Sequence, residues 1–563
     1  MGSTCVHEEW WGRSKRTSKK SYQQLDNRSI LLPLPTLPPA LDLEPSGFQL
    51  PPSYEETVDV EKADLLPHHP SQTWTHDNCH HHVSTHSLLL PSTPEQHLGK
   101  PGFAQTFVPI RPRHCVRIVR FLRYAVFTVY RRLFTLVFVL NGIGVYILLR
   151  QRKVELDALA TLASTNFMAA ILVRQDLLVN LLFRAAWLVP WYVPLRMRRM
   201  VARVYCYGGI HSGAAVAGSL WWIGFTVLMS LELRRYTVPV LGLTYVVSLL
   251  LGVVLLLTVP SLRAKFHDTF EMTHRFLGWT VIALFWAQFL LLTRHTSHRH
   301  SFASLLIRNP TFWNLSVITA LLIYPWLRLR RWTFTAHPLS SHALRLSFPN
   351  KIHKFSCLSI SSSPLREWHP FATFPSANPT EPGASMVISD AGDWTHNLIR
   401  DTHMRDTVQR AISSPYIDAK ENVDNGLKMH FYTKSHPKAG VLSLSCVFGR
   451  VLILTTGSGI GPSLSSLLDR PRGQFARLVW SVRDPLATYG PDIVELVRKA
   501  DPDACIIDTT AMGRPNLLEV AWRLYVEERA EAVFVLSNEK VVKWVVGGLE
   551  RRGVSAFGPI WDS

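Results

Sequence analysis

The sequence predicts a multi-span α-helical membrane domain followed by a small β-rich domain and an α/β nucleotide-binding domain. Three observations predict it. Long apolar runs fill residues 133 to 327, and each approaches the roughly 17–25 residues needed to cross a bilayer. Residues 333–445 change to short alternating runs broken by prolines and turns. From Arg450 strands alternate with helices, and a glycine-rich turn joins the first strand to the first helix. A hydrophobic content of 47% with 18 Trp and 27 Phe excludes a mainly disordered chain. The net charge of +19 could serve a nucleic acid, but the basic residues flank the apolar runs, so no nucleic-acid partner is expected. The seven Cys are scattered with no C-x-x-C, which argues against a disulfide framework or a thiolate zinc site.

Residues 1–110 read as a disordered cytosolic tail, with no apolar signal-peptide core and eleven prolines between Ser21 and Lys100. Within it Pro51, Pro52 and Tyr54 form a PPxY motif, the kind of segment that aromatic WW-domain grooves accept, so a WW-domain partner is expected there. Eight His between His68 and His97 read as metal-binding or, more simply, as a biased linker.

Residues 111–327 are expected to hold six spans: Leu133–Leu149, Ala158–Val173, Val204–Met229, Val238–Val259, Glu271–Leu292 and Thr311–Leu327. Leu177–Leu195 carries Arg184, Pro190 and Pro194, which make a simple span costly, so an interfacial segment is expected. With the N-terminus inside, sixteen Lys and Arg flank the inner ends and eight the outer, which places both termini in the cytosol. A plasma-membrane location is favoured over an internal one. His211 and His274 fall at similar depth on separate helices. They read as axial ligands of one haem iron, with glycines beside His211 leaving room for the porphyrin, or as polar residues packed within the bundle.

Residues 328–446 form the β-rich unit, in which Trp368-His369-Pro370-Phe371-Ala372-Thr373 is an extended strand. Residues 447–563 form the α/β unit. Its strand Val451–Leu454 runs into Thr456-Gly457-Ser458-Gly459-Ile460-Gly461-Pro462, and a helix begins near Ser463, an arrangement suited to a pyrophosphate. Further strands are expected at Leu478–Val482, Cys505–Asp508 and Ala532–Leu536, with helices at Ile493–Lys499, Leu517–Arg529 and Val541–Arg551.

This order of motifs resembles the ferric reductase and NADPH oxidase superfamily, and more narrowly the fungal TmpA-like integral-membrane flavoproteins. Gly208-Gly209-Ile210-His211, Trp368-His369-Pro370-Phe371, Gly392-Asp393-Trp394-Thr395, Gly457–Pro462 and the closing Phe557–Ser563 carry the resemblance, over about residues 110–563. It implies an FAD-binding β-barrel and a nucleotide domain of the ferredoxin-NADP reductase type. His369, Pro370, Phe371 and Thr373 would line the flavin, Gly392 and Thr395 its diphosphate, and Thr456, Gly457, Gly459, Gly461 and Pro462 the nicotinamide dinucleotide. Arg483, next to Asp484, bears on the choice between NADPH and NADH.

The implied function is a membrane flavoprotein oxidoreductase that passes electrons from NAD(P)H through FAD to one inner-leaflet haem and an unassigned acceptor, with membrane lipid as a partner. Three departures from that pattern stand out, and the last two, with the Pro51-Pro52-Ser53-Tyr54 motif, support an alternative, a non-catalytic signalling or scaffold protein with the same fold. Ala372 follows Phe371, so a hydroxyl there is lost or moved to Thr373, Val535-Leu536-Ser537-Asn538 stands in place of a Cys-Gly-Pro segment, and no second His stands about 13–14 residues after His211 or His274.

Overall fold

The computed structural model describes residues 128–150, 154–297, 301–375, 383–412, 426–434 and 437–560. The PPxY motif, the His-rich tract and residues 561–563 lie outside the described residues. Ten helices come first among them: α1 (Val129–Arg150), α2 (Leu156–Leu172), α3 (Asp176–Trp187), α4 (Leu195–Val201), α5 (Gly208–Leu231), α6 (Val238–Leu257), α7 (Pro260–Lys265), α8 (His267–Thr296), α9 (Phe302–Arg308) and α10 (Pro310–Leu327). Local sequence sets several starts. Proline stands in the first turn of α6, α7 and α10, where its missing N–H costs nothing. The Asn309 side chain accepts the Thr311 amide to cap α10.

The expected fold class is corrected in this block. Among the described residues four helices, not six, have the length and composition of a span: Val129–Arg150, Val204–Leu231, Val238–Leu257 and Thr269–Thr296. A fifth exists only if α2 is joined to α3 across a 63° bend. The segment Leu177–Leu195, expected to be half-inserted or interfacial rather than a simple span, breaks into α3, a proline-rich turn and the start of α4. Its Arg184 is exposed, while Val179, Phe183 and Ala186 join the core of the α/β domain. The block has its own apolar core around Trp222, Phe225, Phe285 and Ile318. Asn141 and Asn166 pair their side-chain amides at 2.8–3.0 Å, and Trp221 donates its indole N–H to Asn141, so buried polar groups tie α1, α2 and α5 together.

An eight-stranded antiparallel sheet follows: β1 (Leu329–Ser340), β2 (Ala343–Phe348), β3 (Ser356–Ser361), β4 (His369–Ala372), β5 (Phe374–Pro375), β6 (Ala384–Ser389), β7 (Leu427–Lys434) and β8 (Lys438–Ala439), with helix α11 (Asp393–Ile412) after β6. The strands run in the order β4-β3-β7-β1-β2-β6-β5, and β8 pairs with β3. Only Thr373 separates β4 from β5, yet they end the path on opposite sides, so the sheet must curl until its edges meet. Phe334, Leu346, Leu358, Ile360, Met386 and Ile388 fill the interior.

The last unit is a parallel sheet of β9 (Arg450–Thr456), β10 (Phe475–Val482), β11 (Cys505–Asp508), β12 (Ala532–Leu536) and β13 (Ala556–Phe557), in the order β11-β10-β9-β12-β13. Helices α12 (Ile460–Leu468), α13 (Pro485–Ala500), α14 (Thr509–Met512), α15 (Leu517–Glu527) and α16 (Glu539–Arg551) alternate with the strands. The strand order reverses between β9 and β12, and in such sheets the crevice beyond the carboxyl ends at that point receives ligands.

A strap from α3 to α4 binds the helical block to this domain. Arg198, 5% exposed, gives a bidentate ion pair to Glu531 at 2.7 and 2.9 Å. Glu531 also accepts the Gly449 amide at 2.7 Å, at the root of β9. Arg203 pairs with Glu550 and donates to the Ala556 carbonyl at 3.0 Å. Trp191 donates its indole N–H to the Cys446 carbonyl at 2.9 Å.

Removing one partner of a buried pair strands the other charge, at a cost of about 3–5 kcal/mol. Glu531→Ala is therefore expected to destabilise the chain by about 3 kcal/mol in denaturant unfolding, and a loss below about 1 kcal/mol would show the strap to be incidental. The hydrogen bond from Arg198 holds the Glu531 carboxyl below its ordinary 4.5. A lowered folded value stabilises above the unfolded value and loses that stabilisation as pH falls through the folded one. The difference between wild type and Glu531→Gln should accordingly shrink as pH drops below 4.5.

Candidate functional site

The register of β4 against β3 sets His369 opposite Ile360 and Phe371 opposite Leu358. The His369 ring stacks on Trp394, centroids 4.0 Å apart and planes at 18°, and Phe371 lies 6.2 Å from the same indole. Trp394 is in the first turn of α11, so this stack brings the expected strand to the start of the expected Gly392–Thr395 segment. Thr395 accepts the amides of Ala391 and Gly392 at 3.0 Å and donates to the Gly392 carbonyl, which pins the turn. The amides that open α11 have no acceptor four residues back and face outward as donors. Asp390 pairs with His396 at 2.9 Å beside them. Pro370 and Gly392 are exposed. Thr373 is 2% exposed and spends its hydroxyl on the Ser356 carbonyl at 2.9 Å, so it supplies no free donor.

At the crevice between β9 and β12, Thr456 and Ser537 hydroxyls meet at 2.6 Å, each at the carboxyl end of its strand. Gly457 takes φ +48°, a left-handed backbone that favours glycine. The Gly457 carbonyl accepts the buried Trp480 indole N–H at 3.0 Å, which holds the turn in shape. A Cβ on Gly459 would overlap the Thr455 hydroxyl and come within 3.1 Å of the Leu536 carbonyl, so no side chain fits between the two strands. Gly461 is buried, and a Cβ there would lie 3.7 Å from the Val387 carbonyl of β6. Helix α12, begun by Ile460, Gly461 and Pro462, packs on β4, β5 and β6. The strand and turn predicted separately thus share one side of the molecule. Tyr489 of α13 adds a second bridge through a 3.2 Å contact with Ser389 of β6, and burial raises its phenol.

Arg483 is exposed at the carboxyl end of β10. Its neighbour Asp484 accepts the Ala487 amide at 3.0 Å and caps α13.

Sequence reasoning missed Trp394 as the ring facing His369, Trp480 and Tyr489. Trp394 stood inside a motif already noticed, and only the register of β4 against β3 shows what it faces. Burial raises the Cys357 thiol to about 11 and the Cys446 thiol to about 12, which leaves neither as a ready nucleophile. Among the described residues no cluster of His, Cys, Asp and Glu could hold a metal ion.

The His211 and His274 rings lie 6.3 Å apart at 77°, with the His211 Nδ1 2.8 Å from the Ala170 carbonyl. The glycines expected to make room for a porphyrin serve another purpose. A Cβ on Gly209 would overlap the Tyr130 carbonyl, and one on Gly213 would lie 3.1 Å from the Phe134 carbonyl, so both allow α1 to lie against α5. The haem expectation at His211 and His274 is corrected accordingly.

Residues 441–563 match the family model of the C-terminal domain of adenylate-forming reductase 03009. The chain is 36% identical over 468 residues to adenylate-forming reductase 06235 of Coprinopsis cinerea, covering 82% of this chain and 43% of that protein. It is 36% identical over 453 residues to adenylate-forming reductase 03009 of the same fungus, covering 79% and 41%. The chain thus spans about two fifths of the length of these curated relatives. A ferredoxin NADP+ reductase from Neisseria gonorrhoeae with bound FAD and NADP aligns with 41% of this chain and 98% of its own at 12% identity, with a TM-score of 0.30, too low to carry an argument.

Gly459→Ala is expected to destabilise the chain by about 1–3 kcal/mol in denaturant unfolding, since the added Cβ overpacks the contact with Thr455 and Leu536. An unchanged midpoint would show that the turn can relax around a side chain.

These matches overturn the ferric reductase, NADPH oxidase and TmpA-like resemblance. The expectations that went with it are withdrawn: a membrane flavoprotein feeding haem, its signalling or scaffold alternative, plasma-membrane residence, lipid partners and a WW-domain partner at Pro51, Pro52 and Tyr54. What this chain is similar to, over about four fifths of its length, is adenylate-forming reductases.

Proposed function

We propose that residues 329–563 form an oxidoreductase module that uses NAD(P)H as electron donor and FAD as its bound cofactor. The observation that carries the reading is the apposition of α12, which follows the glycine turn, against β4 and β6 of the curled sheet. The residues present fit a flavin. The His369 Nε2 is buried without a hydrogen-bond partner, its nearest carboxylate oxygen on Glu367 being 3.6 Å away, beyond bonding distance. Such an orphan beside the His369–Trp394 stack suits the polar edge of a planar ring, and the opening amides of α11 suit a diphosphate. A bound flavin supplies hydride acceptance and passes the electrons on.

The chain's own residues do the rest. Thr456, Gly457, Gly459, Gly461 and Pro462 bring the backbone close to the dinucleotide and aim the α12 amides at its pyrophosphate. The Thr456–Ser537 pair offers hydroxyls at the crevice, where a nicotinamide would be oriented. His369, Pro370, Phe371 and Thr373 shape the flavin strand, and Gly392 and Thr395 set the turn that presents the diphosphate donors. The names of the matched relatives, both reductases, support the activity class.

NADPH is the proposed donor. Asp484 is committed to capping α13, which leaves the exposed Arg483 guanidinium as the charge able to meet a 2′-phosphate.

Purified chain is expected to retain FAD and to lose the blue absorption of oxidised flavin when NADPH is added without oxygen. Folded protein that binds no flavin would end the reading. Arg483→Ala should raise the KM for NADPH about tenfold while leaving that for NADH within about twofold, the loss of one charge-assisted contact. Equal effects on both donors would remove Arg483 from the phosphate subsite.

A further inference from the structure

A second chamber, of about 190 Å³, opens where the helical block meets the curled sheet. Its walls include Trp279 of α8, Trp326 of α10 and Trp368, the residue immediately before β4, with Pro325 beside them. Trp279 and Trp326 meet edge to face at 5.5 Å. Two cations reach the same space, Arg275 of α8 and Lys434 at the end of β7.

The carboxylates that act on Lys434 are Asp176 and Glu271. The Lys434 ammonium lies 4.6 Å from the centroid of the Trp368 ring, and among the described residues it has no hydrogen-bond acceptor or ion-pair partner. The nearby Asp176 is already paired with Lys438 at 2.9 Å. Burial, reinforced by Lys438, pushes Lys434 down to about 8, which still leaves it mostly charged at neutral pH. Arg275 donates one N–H to the Leu365 carbonyl at 2.8 Å and keeps further donors. The Trp368 indole N–H is taken by the Pro364 carbonyl, so that ring offers its face rather than a donor.

Two half-buried cations facing one space suit an anion, and walls of indole faces suit a flat apolar body. The volume is below the usual range of about 300–1,000 Å³ for drug-sized ligands and suits a single ring. We propose that this chamber binds a small single-ring aromatic carboxylate, its ring among Trp279, Trp326 and Trp368 and its carboxylate between Arg275 and Lys434. The site is separate from the dinucleotide crevice and does not depend on the proposed redox activity. It adjoins the proposed flavin strand in the chain, because Trp368 precedes His369.

Calorimetric titration of the full chain with benzoate tests this. The expected result is saturable one-to-one binding, at least about tenfold weaker for the neutral analogue benzamide. Lys434→Met and Arg275→Gln, on separate elements, should each weaken benzoate about tenfold, and a loss in either folded variant supports the site. Absence of saturation, equal binding of benzamide, or undiminished benzoate affinity in both variants would overturn it. The titration needs no turnover, so its failure is distinct from a failure of the flavin reading.

Discussion

The Arg198–Glu531 pair is the contact on which the arrangement of the domains rests. Glu531 precedes β12, and it also accepts an amide at the root of β9. The helical block therefore grips the parallel sheet where its two central strands begin. The opposite, carboxyl ends of the same strands are left clear for a ligand. A charge this deeply buried is costly unless every donor is used, and here Arg198 also reaches the carbonyls of Val193 and Val447. The apolar face of α3 continues the grip, so strap and sheet share one core.

That clamp has a consequence for chemistry. In the proposed reading two cofactors would sit on different domains, and their separation would depend on how rigidly those domains are held. Here α12 packs against the edges of the curled sheet, Tyr489 meets Ser389, and Ser340 donates to the Thr488 carbonyl at 2.8 Å. The curled sheet and the parallel sheet thus touch along one seam beside the glycine turn. Trp394 stacks on His369 of β4. The aromatic chamber above it is built from the point where α10 passes into β1, a junction that brings indoles from the helices to the end of β7.

Much of the α/β domain was legible because its signals are local. A buried strand, a run of small residues and a helix in succession leave few other arrangements, and strands at Cys505–Asp508 and Ala532–Leu536 lie where the apolar runs place them. The helical block was less legible. Hydropathy measures how apolar a segment is, not what it packs against. In the stretch at Leu177–Leu195 only Val179, Phe183 and Ala186 are buried against the nucleotide domain, while Leu177, Leu181 and Leu188 stay exposed, and the glycines near His211 are small because α1 lies against them. The resemblance to ferric reductases rested on short motifs that similarity over hundreds of residues outweighs.

Local sequence by itself determined the order of helical, antiparallel and parallel units, and the glycine turn that ends β9. These follow from periodicity and from backbone freedom, which neighbouring residues specify. Only the tertiary structure decided which groups meet: Trp394 with His369, Thr456 with Ser537, Arg198 with Glu531, and Lys434 with Trp368. Each pair joins residues distant in the chain or brought together by strand register, and burial and charge balance across elements, not spacing along one of them, bring them into contact.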